Sequence, residues 1–433
     1  MTFLRDASLF LAMAGLIIFT GVTSSWNEAL FILNFGLISA VMALGVNLQW
    51  GLAGLFNIGI MGFAALGGLT VVLVSMPPVP EAWSAGGLRV IAGLIIGAVS
   101  VMATIMLRAR MAPGWMRALT TLILIIGGFV CFRWVFDAGV SAVEAVNPAS
   151  TGYLGGLGLP VILSWPVGGL VAAGAAWVIG KTALGLRSDY LAIATLGIAE
   201  IVISVMKNED WLARGVKNVN GLPRPVPREI DLQNNANFVE RAAEWGIDPI
   251  TASTLYVKLG YSVLFFSVLI ILLVLSQLAL NSPWGRMMRA IRDNEVAAEA
   301  MGKDVTARHL QVFILGSAIC GIAGAMLTTL DGQLTPTSYQ PLRYTFLIWV
   351  MVIVGGSGNN FGAVLGGILV AFLWVQVEVY GTQLMQVATF WMADGSALKD
   401  HLLEGTPHMR LMVMGLLLLL VLRFSPKGLI PER

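Results

Sequence analysis

Glu200 lies well inside an apolar run, 187–206, that is long enough to cross a membrane, and Asp189 stands at its mouth. A carboxylate at that depth is costly unless it meets a solute, a partner or water. Three amides, Asn47, Gln49 and Asn57, fall in a second such region, MALGVNLQWGLAGLFNIGIMGFAALGGLT, punctuated by Gly51, Gly54, Gly59, Gly62, Gly67 and Gly68. The glycines allow close helix packing. They equally allow a broken helix whose freed backbone groups and neighbouring amides meet a polar solute. Glu200 has a matching pair of readings. It gates or contacts a solute, or it is a packing acid bonded to a neighbouring helix or close enough to the boundary to reach water. The chemistry within reach is reversible binding, not bond making. His309, His401 and His408 are scattered, and no His/Asp/Glu group has metal or catalytic spacing. Cys131 and Cys320 fall in apolar runs and read as packing residues. Gly180-Lys181-Thr182 looks like the end of a phosphate-binding loop. The glycine required at 175 is Ala175, however, and no strand precedes it. The chain therefore carries no nucleotide site, cofactor or metal of its own and is not expected to be an enzyme.

These residues need membrane helices to hold them. The chain has 433 residues, 57% hydrophobic and 12% charged, with mean hydropathy +0.82. Soluble domains carry roughly 25% charged residues, so this is a polytopic, all-α integral membrane protein in contact with lipid. The net charge of +2 gives no reason to expect nucleic acid. A membrane helix needs about 20 apolar residues. The spans expected are 7–23, 29–50, 52–74, 88–107, 118–136, 160–180, 187–206, 257–280, 309–330, 344–354, 362–378 and 409–424. Some are short, and 344–354 reads as broken or re-entrant. Arg5 precedes the first run, but no small-residue cleavage site follows, so that run is kept as an anchor. With both termini inside, the inner side collects Arg5, Arg108, Arg110, Arg117, Lys181, Arg187, Arg286, Arg289, Arg292, Lys303, Arg308, Arg423, Lys427 and Arg433. Residues 137–159 and 381–408 read as outer segments. The long interval 207–256 reads as an external loop, either a docking surface or simply solvated.

The polar interval 281–308, NSPWGRMMRAIRDNEVAAEAMGKDVTAR, still has a helical pattern. Ser282 can cap a helix that opens on Pro283. Asp293 or Asn294 can cap a second, short one, which Gly302 is placed to end. Ala297, Ala298 and Met301 make a small apolar face, and Glu299 can pair with Lys303. Such a face can dock in another protein's groove; it is also compatible with an ordinary solvated connection.

NEVAAEAMGKDVTARHLQVFILGSAICGIAGAM resembles the coupling segment of ABC importer permeases. SPWGRMMRAIRDNEVAAEAMG more narrowly resembles the permeases of branched-chain amino acid importers, the LivM-like subunit. The general pattern wants a glutamate where Val296 stands, and Glu295 matches the narrower family's form. LRSDYLAIATLGIAEI, the run GGSGNNFGAVLGG with Gly358 and Asn359, and the tail SPKGLIPER resemble further stretches of that family. One departure is ARGVKNVNGLPRP, where the family commonly has Thr-Gly-Gly. The resemblance implies a single permease domain over 1–433 in a bacterial cytoplasmic membrane, with 281–308 as the cytoplasmic coupling loop. It implies a second homologous permease subunit, two cytoplasmic ATP-binding subunits that hold the ATP, and an extracytoplasmic solute-binding protein. Arg289, Glu295, Ala297, Ala298, Glu299 and Gly302 would meet the ATPase. Asn47, Gly54, Asn57, Gly59, Asp189, Glu200, Gly358 and Asn359 would border the path of a branched-chain amino acid. A urea or short-amide importer is the alternative within the class, and an ion-gradient-driven secondary transporter the alternative outside it.

Overall fold

The computed structural model describes residues 2–148, 150–392 and 396–432; Arg433, assigned above to the inner side, lies outside them. The chain folds as helices because its apolar runs allow little else in lipid, where every backbone N–H and C=O needs a partner within the protein. In order these are α1 (Thr2–Thr23), α2 (Trp26–Val46), α3 (Ile60–Ser75), α4 (Leu88–Arg110), α5 (Trp115–Glu144), α6 (Ser164–Ala183), α7 (Ser188–Asn208) and α8 (Pro249–Asn281). The two helices of the polar interval follow, α9 (Pro283–Asp293) and α10 (Glu295–Ala300). Then come α11 (Val305–Asp331), α12 (Pro341–Gly355), α13 (Asn360–Ala388) and α14 (Met409–Phe424). Among the described residues, nine helices are long and apolar enough to cross a membrane. The chain is a polytopic helical membrane protein.

All twelve expected spans are found as helix, but several bounds differ. The second continues from α2 as one wide turn, Asn47–Leu52. The third begins only at Ile60, after a non-helical stretch. α5 runs on to Glu144 and α13 to Ala388, so 137–159 and 381–408 are partly helix rather than loop. Both extensions carry mixed polar and apolar residues that mask their helical continuity. Within 207–256 lie short helices at Asp210–Ala213, Glu229–Gln233 and Ala236–Glu244, and the first turns of α8. Val219–Asn220 pairs antiparallel with Gln333–Leu334, joining that segment to the end of α11 far from α9 and α10.

α2, α3, α11, α12 and α13 form the centre, with the chain continuously buried from Gly36 in α2 to Gln49 in the turn after it. Small residues let these backbones touch. A Cβ on Gly67 of α3 would strike the Gly321 carbonyl of α11, and one on Gly324 would strike Ala64 O. Lipid gives no hydrophobic drive between helices, so close backbone packing has to supply cohesion. α4 and α5 pack on each other and meet the rest through Phe136 and Trp211, 5.6 Å apart. α3 and α12 have 16 and 15 residues, about 24 and 22 Å of helix, short of the roughly 30 Å hydrocarbon layer. Both are cut off at the end that faces α9 and α10.

Gly67→Val should lower the thermal midpoint of the purified protein, since overpacking at such a contact costs about 1–3 kcal/mol. Gly174, exposed and with open space around its Cβ position, should accept valine without loss. Equal midpoints for the two variants, measured by a fluorescence melt in detergent, would contradict the close-packing account.

Candidate functional site

The two cut-off helices leave free backbone groups near one end of the bundle, and buried amides satisfy them. Asn47 Oδ1 accepts from Gly358 N at 2.8 Å, and its Nδ2 donates to Asn360 Oδ1 at 3.0 Å. Asn360 in turn donates to Gln277 Oε1 on α8 at 3.4 Å. Asn57 Oδ1 accepts from Gly59 N at 2.8 Å, and its Nδ2 donates to Gln49 Oε1 at 2.9 Å. Gln49 then donates to Phe313 O at 2.9 Å and Ser317 Oγ at 3.0 Å on α11. Trp349 Nε1 donates to Asn57 O at 3.3 Å, with its ring against Trp50 and Phe56. Asn359 caps α13 by accepting from Phe361 N and Gly362 N. Gly54 and Gly358 have φ +67° and +84°, a left-handed backbone that favours glycine. The two breaks touch, because a Cβ on Gly51 would meet Gly358 N.

The tail covers the second break. Leu429 N and Ile430 N donate to Val354 O and Gly355 O, each at 2.9 Å, and Asn359 Nδ2 donates to Pro431 O at 3.1 Å. Glu432 then meets Arg292 of α9 at 2.9 Å. The same guanidinium donates to the Gly51 carbonyl, and its stem lies over Gly54. Burial opposes the charge on Arg292, but the Glu432 carboxylate and then Asp293 outweigh it and hold its pKa above the usual value. One side chain thus joins the polar interval to both breaks. On the other side of the first break, Thr195 Oγ1 of α7 accepts from Ile58 N at 3.2 Å. Gly59 packs so closely on the Thr195 carbonyl that a Cβ there would collide.

A family model described as branched-chain amino acid transport system / permease component matches residues 116–422. The chain belongs to that family. It is similar to the high-affinity branched-chain amino acid transport system permease protein LivM of Salmonella typhimurium, 27% identical over 297 residues, 68% of this chain and 62% of the relative. It is also similar to a probable branched-chain amino acid transport permease protein LivM of Methanocaldococcus jannaschii, 31% identical over 174 residues, 40% of this chain and 46% of the relative. The xylose transport system permease protein XylH of Escherichia coli K12 is 23% identical over 299 residues, 64% of this chain and 62% of the relative. The chain thus spans less than two thirds of the length of these relatives. No solved structure matches it.

α9 and α10 form where the interval 281–308 predicts them. Ser282 accepts from Gly285 N and Asn294 from Ala297 N, so Asn294 rather than Asp293 is the second cap, and Gly302 has φ +77°. The apolar face is not the expected one. Ala298 turns inward and is half-buried against the core; Val296 and Met301, 76% and 80% exposed, flank exposed Ala297. Glu295 and Glu299 are exposed, and no ion pair joins Glu299 to Lys303 among the described residues. Arg289 is half-buried and donates to Leu280 O at 3.1 Å, which caps α8. Helical spacing places residues on a wheel, but it does not say which side of the wheel the rest of the chain will cover.

Of the residues expected along a path, Asn47, Gly54, Asn57, Gly59, Gly358 and Asn359 come together in the lattice around the breaks. The Asn57 amide is turned inward and fully paired. Asp189 and Glu200 lie apart from the lattice, both exposed on α7. Asn360, Gln277, Ser317 and Glu432 were missed as site residues. Asn360 had a signal in its pairing with Asn359, whereas Glu432 had none, because its contact spans 140 residues of sequence. At the opposite end of the bundle a cavity of about 340 Å³ is lined by Phe35, Asp331, Tyr344, Trp374, Glu378 and Arg410 among others. Glu378 and Arg410 form an ion pair there. None of the expected path residues borders this cavity.

Asn57→Leu removes the partner of both Gln49 Oε1 and the Gly59 amide, and each buried polar group left unpaired costs about 1–3 kcal/mol. The expected outcome is a lower melting midpoint and a smaller folded fraction in size-exclusion chromatography. Asp189→Asn, on an exposed site, should match the unsubstituted protein. A stable Asn57→Leu protein would show that the lattice contributes little.

Proposed function

We propose that the chain is the membrane-spanning permease subunit of an ABC importer, carrying branched-chain amino acids or a similar small polar solute by alternating access. The observation that carries this reading is the joint between α9 and the breaks. α10 presents Val296 and Met301 outside the membrane-spanning helices, and Arg292 of the adjoining α9 bonds to backbone at the point where two membrane helices are interrupted. Membership in a family of transport permeases supports transport rather than bond-making catalysis. In this reading two cytoplasmic ATP-binding subunits grip α10 and hold the nucleotide. A second homologous permease completes the membrane unit, and an extracytoplasmic solute-binding protein delivers the solute near 207–256. The protein sits in the bacterial cytoplasmic membrane with the 281–308 loop and both termini in the cytoplasm.

Val296→Arg and Met301→Arg place a long cation at exposed positions of α10, so the fold should be unaffected. Arginine in an apolar groove loses solvent without gaining a partner, and a contact of that kind costs about 2 kcal/mol or more. ATP-dependent leucine uptake in membrane vesicles should fall by roughly ten-fold or more, and the ATP-binding subunits should co-purify poorly. Normal uptake with normal co-purification would remove α10 as the docking element. A cysteine or reporter placed after Ala300 should be cytoplasmic and one near Asn234 external; the reverse arrangement would put α10 out of an ATPase's reach.

A further inference from the structure

One face of α7 carries Asp189, Glu200, Ser204 and Asn208 between Ile193 and Gly197, and nothing among the described residues covers it. Asp189, Ile193, Gly197, Glu200, Ser204 and Asn208 recur at helical spacing, and all six are exposed. The opposite face, with Leu191, Thr195, Ala199 and Ile203, is buried against α3 and the first break. Glu200 is eight residues from the nearer end of the helix, about 12 Å along the axis, which is too far for its short side chain to reach an aqueous boundary. It has no hydrogen bond or ion pair among the described residues. The packing-acid reading is therefore not met. Exposed polar groups on other spans are partnered: Arg133 and Asp137 of α5 pair with each other at 2.9 Å, and Ser267 of α8 bonds back to the Val263 carbonyl among apolar Val263, Ile271 and Val274. A bare carboxylate at the depth of Glu200 does not suit lipid, since charged groups within a bilayer face protein or a water-filled gap.

We propose that this stripe is one wall of a hydrated path whose other wall is the second permease subunit, and that Glu200 is the fixed negative charge that meets the ammonium group of an amino-acid solute there. The proposal rests on the importer reading above. Charge excludes lipid as the occupant, and the buried side of α7 is already filled. The stripe is also mechanically placed for the role. Thr195 holds the back of α7 to the break that Arg292 ties to α9, so a displacement of α9 reaches the wall through two direct contacts.

The test uses the assembled importer in proteoliposomes, in a Cys131→Ser background, Cys320 being buried. Ser204→Cys should react with a charged, water-soluble thiol reagent about ten-fold or more faster than Ile271→Cys on α8, because a thiol ionises only where water reaches it. A photocrosslinker at Ile193 should join α7 to the second permease. Glu200→Gln should raise the KM for leucine uptake about ten-fold or more, the worth of one charge-assisted contact, while Glu200→Asp retains most of the wild-type value. Melting midpoints of the variants separate misfolding from lost recognition. Equal, slow labelling at Ser204 and Ile271 alongside intact wild-type uptake overturns the proposal and leaves the importer reading standing. Wild-type KM in Glu200→Gln overturns the charge role. Rapid Ser204 labelling in a wild-type complex that imports none of leucine, isoleucine and valine overturns the branched-chain amino acid as solute and, with it, the role given to Glu200.

Discussion

Backbone hydrogen bonding in a solvent that offers none is the constraint on which the rest of this structure depends. A continuous helix satisfies it without help. α3 and α12 are not continuous spans, so their ends expose N–H and C=O groups that something in the protein has to meet. Asn47 and Asn57 do so from the side, held in place by Asn360 and Gln49, and the tail does so from below through Leu429 and Ile430. A network of this kind is costly if partly filled and rigid if complete. Here Asn47, Gln49 and Asn57 are fully engaged, and the breaks are held as defined shapes.

A rigid break can be moved as a unit. Arg292 bonds to one break and, through Glu432, to the tail that covers the other. Thr195 bonds to the far side of the first. The polar interval outside the membrane and the exposed face of α7 inside it are therefore two contacts apart, although some 100 residues separate them in sequence. This gives the exposed α9–α10 pair a mechanical meaning. A partner that shifts α9 acts on the membrane helices at the place where they are already interrupted.

Much of the fold was legible in the sequence because its signals are local. Apolar runs of span length, Ser282 with Pro283, Asn294 and Gly302 each act within a few residues of themselves. The interrupted helices were legible as well, from glycines mixed with amides. The pairing of those amides was not. Asn57 reads as a polar group available to a solute until one knows that Gln49 lies opposite it and Trp349 closes over it. Ala298 and Met301 share a helix, and only the packing of α10 on the core decides which faces outward. Glu432 and Arg292 meet through chain closure, which no spacing rule records. Glu200 is the reverse case: its depth was plain from the sequence, and the structure adds that no neighbour among the described residues satisfies it.

If Arg292 carries motion from α9 into the membrane helices, Arg292→Met should separate ATP turnover from leucine uptake when both are measured together in the proposed importer, assembled with its ATP-binding subunits. Methionine keeps the stem over Gly54 but cannot bond to the Gly51 carbonyl or to Glu432. The expected result is that the ATP-binding subunits remain attached and hydrolyse ATP while the leucine delivered per ATP collapses. An unchanged ratio of uptake to hydrolysis in a correctly folded Arg292→Met complex would contradict it.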